Sequence, residues 1–152
     1  MADKSPKILI VEARFYEDIA DELAAGAIEA IEEAGMSYDR IAVPGVLEIP
    51  AAVSMALISS EAGAGTQYAA FVTLGCVIRG ETTHYEIVSG ESARALMDIS
   101  VAEGLALGNG IQTVENSDQA WARTRRSEKN KGRGAAVAAI AMLQLRKQFG
   151  LA

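Results

Sequence analysis

The chain holds a single histidine, and the residues just ahead of it make it the first candidate for chemistry. His84 follows Arg79-Gly80-Glu81-Thr82-Thr83, a polar stretch placed directly after the apolar run Ala69–Ile78. Such a run reads as a parallel strand buried on both faces, and the polar stretch as its turn into a helix. A glycine there lets backbone approach a ligand, and threonines add hydroxyls. The first turn of a helix also presents N–H groups that have no partner within the helix, so the combination suits a small anion. An imidazole beside that anion is of a side-chain type suited to carrying protons. Plainer readings stand next to these. A threonine pair ahead of a helix is also an N-cap, and a lone histidine is often structural.

A second candidate is basic. Arg123, Arg125, Arg126, Lys129, Lys131 and Arg133 crowd one short stretch of a chain whose formal charge is −6. An acidic protein repels nucleic acid overall, so the cluster suits a small anion better than a polyanion; a solvated helix end is the alternative. Cys76 falls inside the apolar run, where a small buried side chain is expected rather than a nucleophile. One histidine and one cysteine make no usual zinc set, and no acidic cluster has metal-binding spacing. Walker, GxGxxG and Gly-x-Ser-x-Gly patterns are absent.

These residues need elements to hold them. With 152 residues, half of them apolar and 22% charged, the chain reads as one globular domain with a real core. Lys7–Val11 reads as a buried first strand. From Glu17 to Ala34 the apolar residues Ile19, Leu23, Ala27, Ala30, Ile31 and Ala34 recur at helical spacing, with Gly35 as a stop. Tyr38–Val43 is a weaker strand ending at Pro44-Gly45, and Ile49–Ser60 a second helix with Pro50 in its first turn. A long helix reaches from the His84 turn to about Glu103. Leu105–Val114 is the fourth strand, a short helix starts at Ser117 with Asn116 or Ser117 as cap, and the last helix spans Lys131–Phe149.

Strand and helix alternate, with connections long enough for parallel crossovers. This predicts a three-layer α/β sandwich on a four-stranded parallel sheet, flavodoxin-like, over residues 1–152. Its strand ends would gather Arg14-Phe15-Tyr16, Val46-Leu47-Glu48, Arg79–His84 and Asn109–Asn116 on one rim, where ligands of such sheets collect. The segment AAVAAIAMLQL of the last helix is apolar nearly all round, which points to a core helix or a subunit contact; we expect an oligomer. No run approaches the roughly 20 apolar residues of a membrane span. The opening MADKSPKILIVEARF is too short in apolar residues for a signal peptide, and one cysteine forms no internal disulfide. A cytoplasmic protein is expected.

The motifs also resemble a known family. FVTLGCVIRGETTHYEIV (Phe71–Val88) is similar to the core signature of lumazine synthases, and VPGVLEIPAA (Val43–Ala52) to their VPG-aromatic-E-IP loop. ARFYEDIADEL resembles their first strand end. GNGIQTVENSDQAWARTRRSEKNKGRGAA (Gly108–Ala136) resembles their fourth strand, short helix and NKG turn. The resemblance covers nearly the whole chain. It implies condensation of 5-amino-6-(D-ribitylamino)uracil with 3,4-dihydroxy-2-butanone 4-phosphate to 6,7-dimethyl-8-ribityllumazine, phosphate and water. No metal or cofactor is implied. The assembly implied is a homopentamer or a multiple of it, with a functional link to riboflavin synthase.

By the same resemblance Phe15 stacks on the pyrimidine, and Glu48, with the backbone of Val46 and Leu47, holds the ribityl chain. The backbone of Cys76, Val77 and Ile78 reads the heterocycle, and Glu81 and Thr82 cradle phosphate. Arg123 reaches that phosphate from a neighbouring subunit, Lys131 lies on the pyrimidine side, and His84 carries protons. Asn109 stands where many relatives place an aromatic ring over the pyrimidine. Tyr16 replaces a common asparagine and Leu47 a common aromatic, changes that bear on affinity more than on reaction type. The rival readings are a non-catalytic flavin or lumazine carrier, a receiver-like signalling module and a structural shell protein. A carrier would need neither His84 nor Arg123, and a receiver would need an acidic pair where only Glu12 stands.

Overall fold

A computed structural model describes residues 6–152; the first five residues of the stretch weighed as a leader lie outside it. The elements run β1 (Lys7–Ala13), α1 (Glu17–Glu33), β2 (Ser37–Val43), a 3-10 turn (Val46–Glu48), α2 (Ile49–Glu61), β3 (Ala70–Ile78), α3 (His84–Glu103), β4 (Leu107–Val114), α4 (Ser117–Thr124) and α5 (Lys131–Gln148). All three strand pairings are parallel, and the order across the sheet is β2-β1-β3-β4. Helices cover both faces, so the three-layer, flavodoxin-like α/β sandwich stands.

Patterning explains most of this. β3 is buried through every residue but its last, as a central parallel strand must be. In α1 the predicted stripe lies inward except Ala34, which is exposed because the helix has already ended at Glu33. Asn116, rather than Ser117, caps α4, accepting from the Gln119 N–H at 2.9 Å. β1 runs two residues beyond the expected Val11, and the added Glu12 is a carboxylate only 3% exposed. It stays buried because two arginines reach it, Arg14 and Arg40.

Two apolar layers sandwich the sheet. One joins Ile8, Ile10, Val72 and Leu74 to α1 and α5; the other joins Leu9, Val11, Phe71 and Val77 to α2 and α3. The first layer is very close. A Cβ on Gly108 of β4 would lie 1.8 Å from the Ala135 carbonyl oxygen of α5, so only glycine admits the helix at that distance. No helix among the described residues is long and apolar enough to cross a membrane.

Candidate active site

In the order β2-β1-β3-β4 the chain moves outward from β1 to β2 and then returns to the other side of β1 for β3. The sheet therefore switches direction between β1 and β3. At such a point the connections leaving the two strands diverge and open a crevice beyond the carboxyl ends. The described residues have a cleft of about 350 Å³ there. It is lined by Ala13, Phe15 and Tyr16 after β1, Gly45 to Glu48 after β2, Cys76 to Ile78 at the end of β3, and His84 and Val88 on α3.

Each wall has a local cause. The three residues between β1 and α1 carry Phe15, which is 76% exposed and touches the Tyr16 ring edge-on at 4.9 Å. So open an aromatic face is what a flat ligand would cover. The 3-10 turn with Val46, Leu47 and Glu48 lies against β3 because Gly75 leaves room: a Cβ there would come 2.9 Å from Val46 Cγ2. Val46 is buried and anchors the turn, while Leu47 and Glu48 stay exposed at the cleft.

At α3 the cap is Thr83, which makes no side-chain capping bond. The Thr82 hydroxyl instead accepts from the His84 N–H at 3.3 Å. The cap reading of the threonine pair thus holds through Thr82, which satisfies one N–H of the first turn. The His84 side chain is exposed at the cleft and has no hydrogen-bond partner among the described residues. Arg79 is already engaged. It pairs with Glu86, donates from Nε to Glu115 at 2.8 Å, and lies over the Tyr85 ring at 4.3 Å. It ties the end of β3 to α3 and to the end of β4. The Cys76 thiol is pushed up to about 11 by burial alone, so it stays protonated at neutral pH and is no nucleophile.

The cleft thus brings together Phe15, Val46, Leu47, Glu48, Cys76, Val77, Ile78 and His84. Glu81 and Thr82 lie in the exposed turn just ahead of His84, outside the lining. Asn109, Arg123 and Lys131 are elsewhere. Asn109 sits on the exposed face of β4, where its Oδ1 accepts from Thr73 Oγ1 and from the Ile111 N–H, both at 3.0 Å. Arg123 donates to the Gln119 carbonyl at 3.1 Å and meets no carboxylate, and Lys131 is exposed at the start of α5. The basic stretch is largely spent on structure. Arg126 pairs with Glu22 and Glu29, Arg133 with Glu33, and Arg125 with Glu128.

Four lining residues, Ala13, Tyr16, Gly45 and Val88, were not among the candidate site residues. Val88 lies one helical turn after His84, so the helix period could have found it. Tyr16 was placed on the rim with Phe15 and noted as a departure from a motif, without a role of its own.

Comparison with known proteins places the chain among relatives. The family model described as 6,7-dimethyl-8-ribityllumazine synthase matches residues 5–147. A 6,7-dimethyl-8-ribityllumazine synthase of Agrobacterium fabrum is 61% identical over 145 residues, covering 95% of this chain and 97% of the relative. One named 6,7-dimethyl-8-ribityllumazine synthase 1, of Rhizobium meliloti, is 58% identical over 147 residues, 97% of this chain and 95% of the relative. A third, of Bartonella bacilliformis, is 57% identical over 146 residues, 96% and 93% of the two chains. With a match of this extent, and relatives this similar over nearly their whole length, the chain belongs to the 6,7-dimethyl-8-ribityllumazine synthase family.

Proposed function

We propose that this chain condenses 5-amino-6-(D-ribitylamino)uracil with 3,4-dihydroxy-2-butanone 4-phosphate. The products are 6,7-dimethyl-8-ribityllumazine, phosphate and water, in the penultimate step of riboflavin biosynthesis. One observation carries the reading. An open aromatic ring, an exposed carboxylate, a strand end and the chain's single imidazole share one cleft at the switch point of the sheet.

Phe15 offers a π-face to the pyrimidine, and Glu48 accepts hydrogen bonds from ribityl hydroxyls. The main chain of Cys76, Val77 and Ile78 meets the polar edge of the heterocycle. The phosphate rests at the turn Glu81-Thr82, against the donors of the first turn of α3. The amine and ketone condense to an imine, phosphate leaves, the ring closes and water is lost. His84 moves protons between these steps. Holding the two partners face to face contributes up to about 7–11 kcal/mol of barrier reduction. Acid–base help from His84 adds roughly 10²–10⁴-fold.

The working unit in this reading is a homopentamer or a multiple of pentamers, with no cofactor or metal, in the cytoplasm. Its product passes to riboflavin synthase. Arg123, Asn109 and Lys131 lie off the protomer's own cleft, which supports their delivery by a neighbouring copy: Arg123 to the phosphate, Lys131 and Asn109 to the pyrimidine side. So does a run of exposed apolar side chains on α2 and α3, namely Met55, Ile58, Ile87, Met97 and Val101.

Incubating purified protein with both substrates should yield a yellow-green fluorescent product, with sedimentation reporting an assembly of five or a multiple of five chains. A folded protein that binds the pyrimidine and forms no product would leave the carrier reading in its place.

A further inference from the structure

Beside the cleft lies a cluster of charges that the proposed chemistry does not use. Glu12 is 3% exposed, at the carboxyl end of β1 on the face covered by α1. Its Oε1 accepts from Arg14 Nη1 at 2.8 Å and from Arg40 Nη2 at 2.9 Å, and its Oε2 from Arg40 Nε at 2.7 Å. Arg14 also pairs with Asp21, one turn into α1. Two carboxylates and two guanidiniums thus form a neutral set joining β2, β1 and α1. Burying a carboxylate is costly unless it is paired and its lone pairs are filled, and this arrangement meets both conditions.

What the set encloses gives it a second consequence. Between the Ala13 end of β1 and the Glu17 start of α1 lie only Arg14, Phe15 and Tyr16. Tyr16, at the N-cap of α1, provides no side-chain cap, so the helix entry lacks the usual anchor. Within its own protomer Phe15 has a single aromatic neighbour and is otherwise open, so no wall of the same chain sets the direction of its ring. Its direction follows from the backbone of the turn. Arg14 holds that turn at both ends, to the strand through Glu12 and to the helix through Asp21. Arg40 in turn fixes Glu12 with a two-pronged grip from β2.

We propose that Glu12, Arg14, Arg40 and Asp21 are positioning residues which hold the β1–α1 turn so that Phe15 meets the planar ring of the pyrimidine substrate. The inference rests on the role proposed for Phe15 and adds to it. None of the four touches substrate; they act through Phe15. A one-atom change such as Glu12→Gln removes the shared charge and leaves one guanidinium under-paired. The turn then samples several directions, and the stacked geometry is populated less of the time.

The test is a double-mutant cycle on the full assembly, with Michaelis constants for both substrates, turnover, and direct titration of the pyrimidine. Phe15→Ala should weaken pyrimidine binding at least 10-fold. Glu12→Gln should weaken it about 5- to 20-fold, with the Michaelis constant for the butanone phosphate within 2-fold of the parent. In the Phe15→Ala background Glu12→Gln should add less than 2-fold. Asp21→Asn, at an exposed position that keeps the buried pair intact, should give a smaller loss of the same kind, about 2- to 5-fold. It serves if Glu12→Gln does not fold. Arg14→Lys, which keeps charge but cannot fork, should not restore binding. Multiplying losses in the double variant, equal losses for both substrates, or no loss with Asp21→Asn in a folded protein would each overturn the positioning role. If Phe15→Ala itself leaves pyrimidine binding unchanged, the stacking assignment fails instead, and that outcome is separately visible.

Discussion

The two faces of the sheet are built to different degrees of completeness. On the α1–α5 face, alanines and glycines let helices come close, and the layer closes over Ile8, Ile10, Val72 and Leu74. Ion pairs from Arg126 and Arg133 to Glu22, Glu29 and Glu33 lock its rim. On the α2–α3 face, Val53, Val88 and Leu96 are buried, yet Met55, Ile58, Met97 and Val101 point outward and Asn109 of β4 is exposed. One face is the more nearly finished within a single chain, although Val137, Met142 and Phe149 of α5 and its end stay exposed. The other leaves more of its apolar side chains, and the edge of its cleft, exposed.

The largest effect expected from breaking this contrast is on the α1–α5 face. Gly108→Val places a side chain into the α5 backbone, so we expect a loss of more than about 4 kcal/mol and no folded protein on expression, read by circular dichroism and solubility. A charge on the open face should act differently. Val101→Glu or Met97→Glu should leave helix content intact and split the assembly in sedimentation, with activity falling roughly 100-fold or more as the composite site is lost. Unchanged size and activity in both variants would remove this face from the assembly.

Within the cleft, His84→Ala should slow turnover by about 10²–10⁴-fold without abolishing it, since approximation of the substrates persists. Loss of all activity with binding intact would place more of the catalysis on the imidazole. Arg123→Ala should raise the Michaelis constant for the phosphate substrate roughly 10-fold and leave pyrimidine binding alone, as expected for a guanidinium that meets only the anion. A raised Michaelis constant for the pyrimidine alone, with that of the phosphate substrate unchanged, would reverse that assignment.

The smallest effect concerns Cys76, which belongs to the α1–α5 layer. Burial raises its thiol from an ordinary 9 to about 11. Between those values the unfolded chain releases the proton and the folded chain keeps it. Stability from this group is therefore full below pH 9 and falls as the pH rises toward 11. Cys76→Ala should flatten that slope in denaturation curves taken across the window, and a thiol reagent at neutral pH should label the native protein only as fast as it opens.

Much of the site could be read from residue order alone, because parallel α/β connections force strand ends to one rim. Phe15, the Val46–Glu48 turn and His84 were placed on the rim that way, whereas Cys76–Ile78 entered as site residues only through the family resemblance. Asn109, also at a strand end, and Arg123 and Lys131, given roles only by the family resemblance, lie off the protomer's cleft. Nothing in their spacing shows which copy they face. Glu12 was visible only as a lone acid beside an arginine, and its burial depends on Arg40, 28 residues further on.

Alternation of apolar residues settled by itself which segments became strands and helices, which strand was buried on both faces and where the helices stopped. Those are local matters, governed by backbone propensity and by which side of an element prefers to leave water. Strand order, the switch point between β1 and β3, the spending of the basic cluster on α1, and the neutral set around Glu12 were decided only in three dimensions. Each joins residues far apart in the chain, and pairings at that range depend on shape and charge that no local period records.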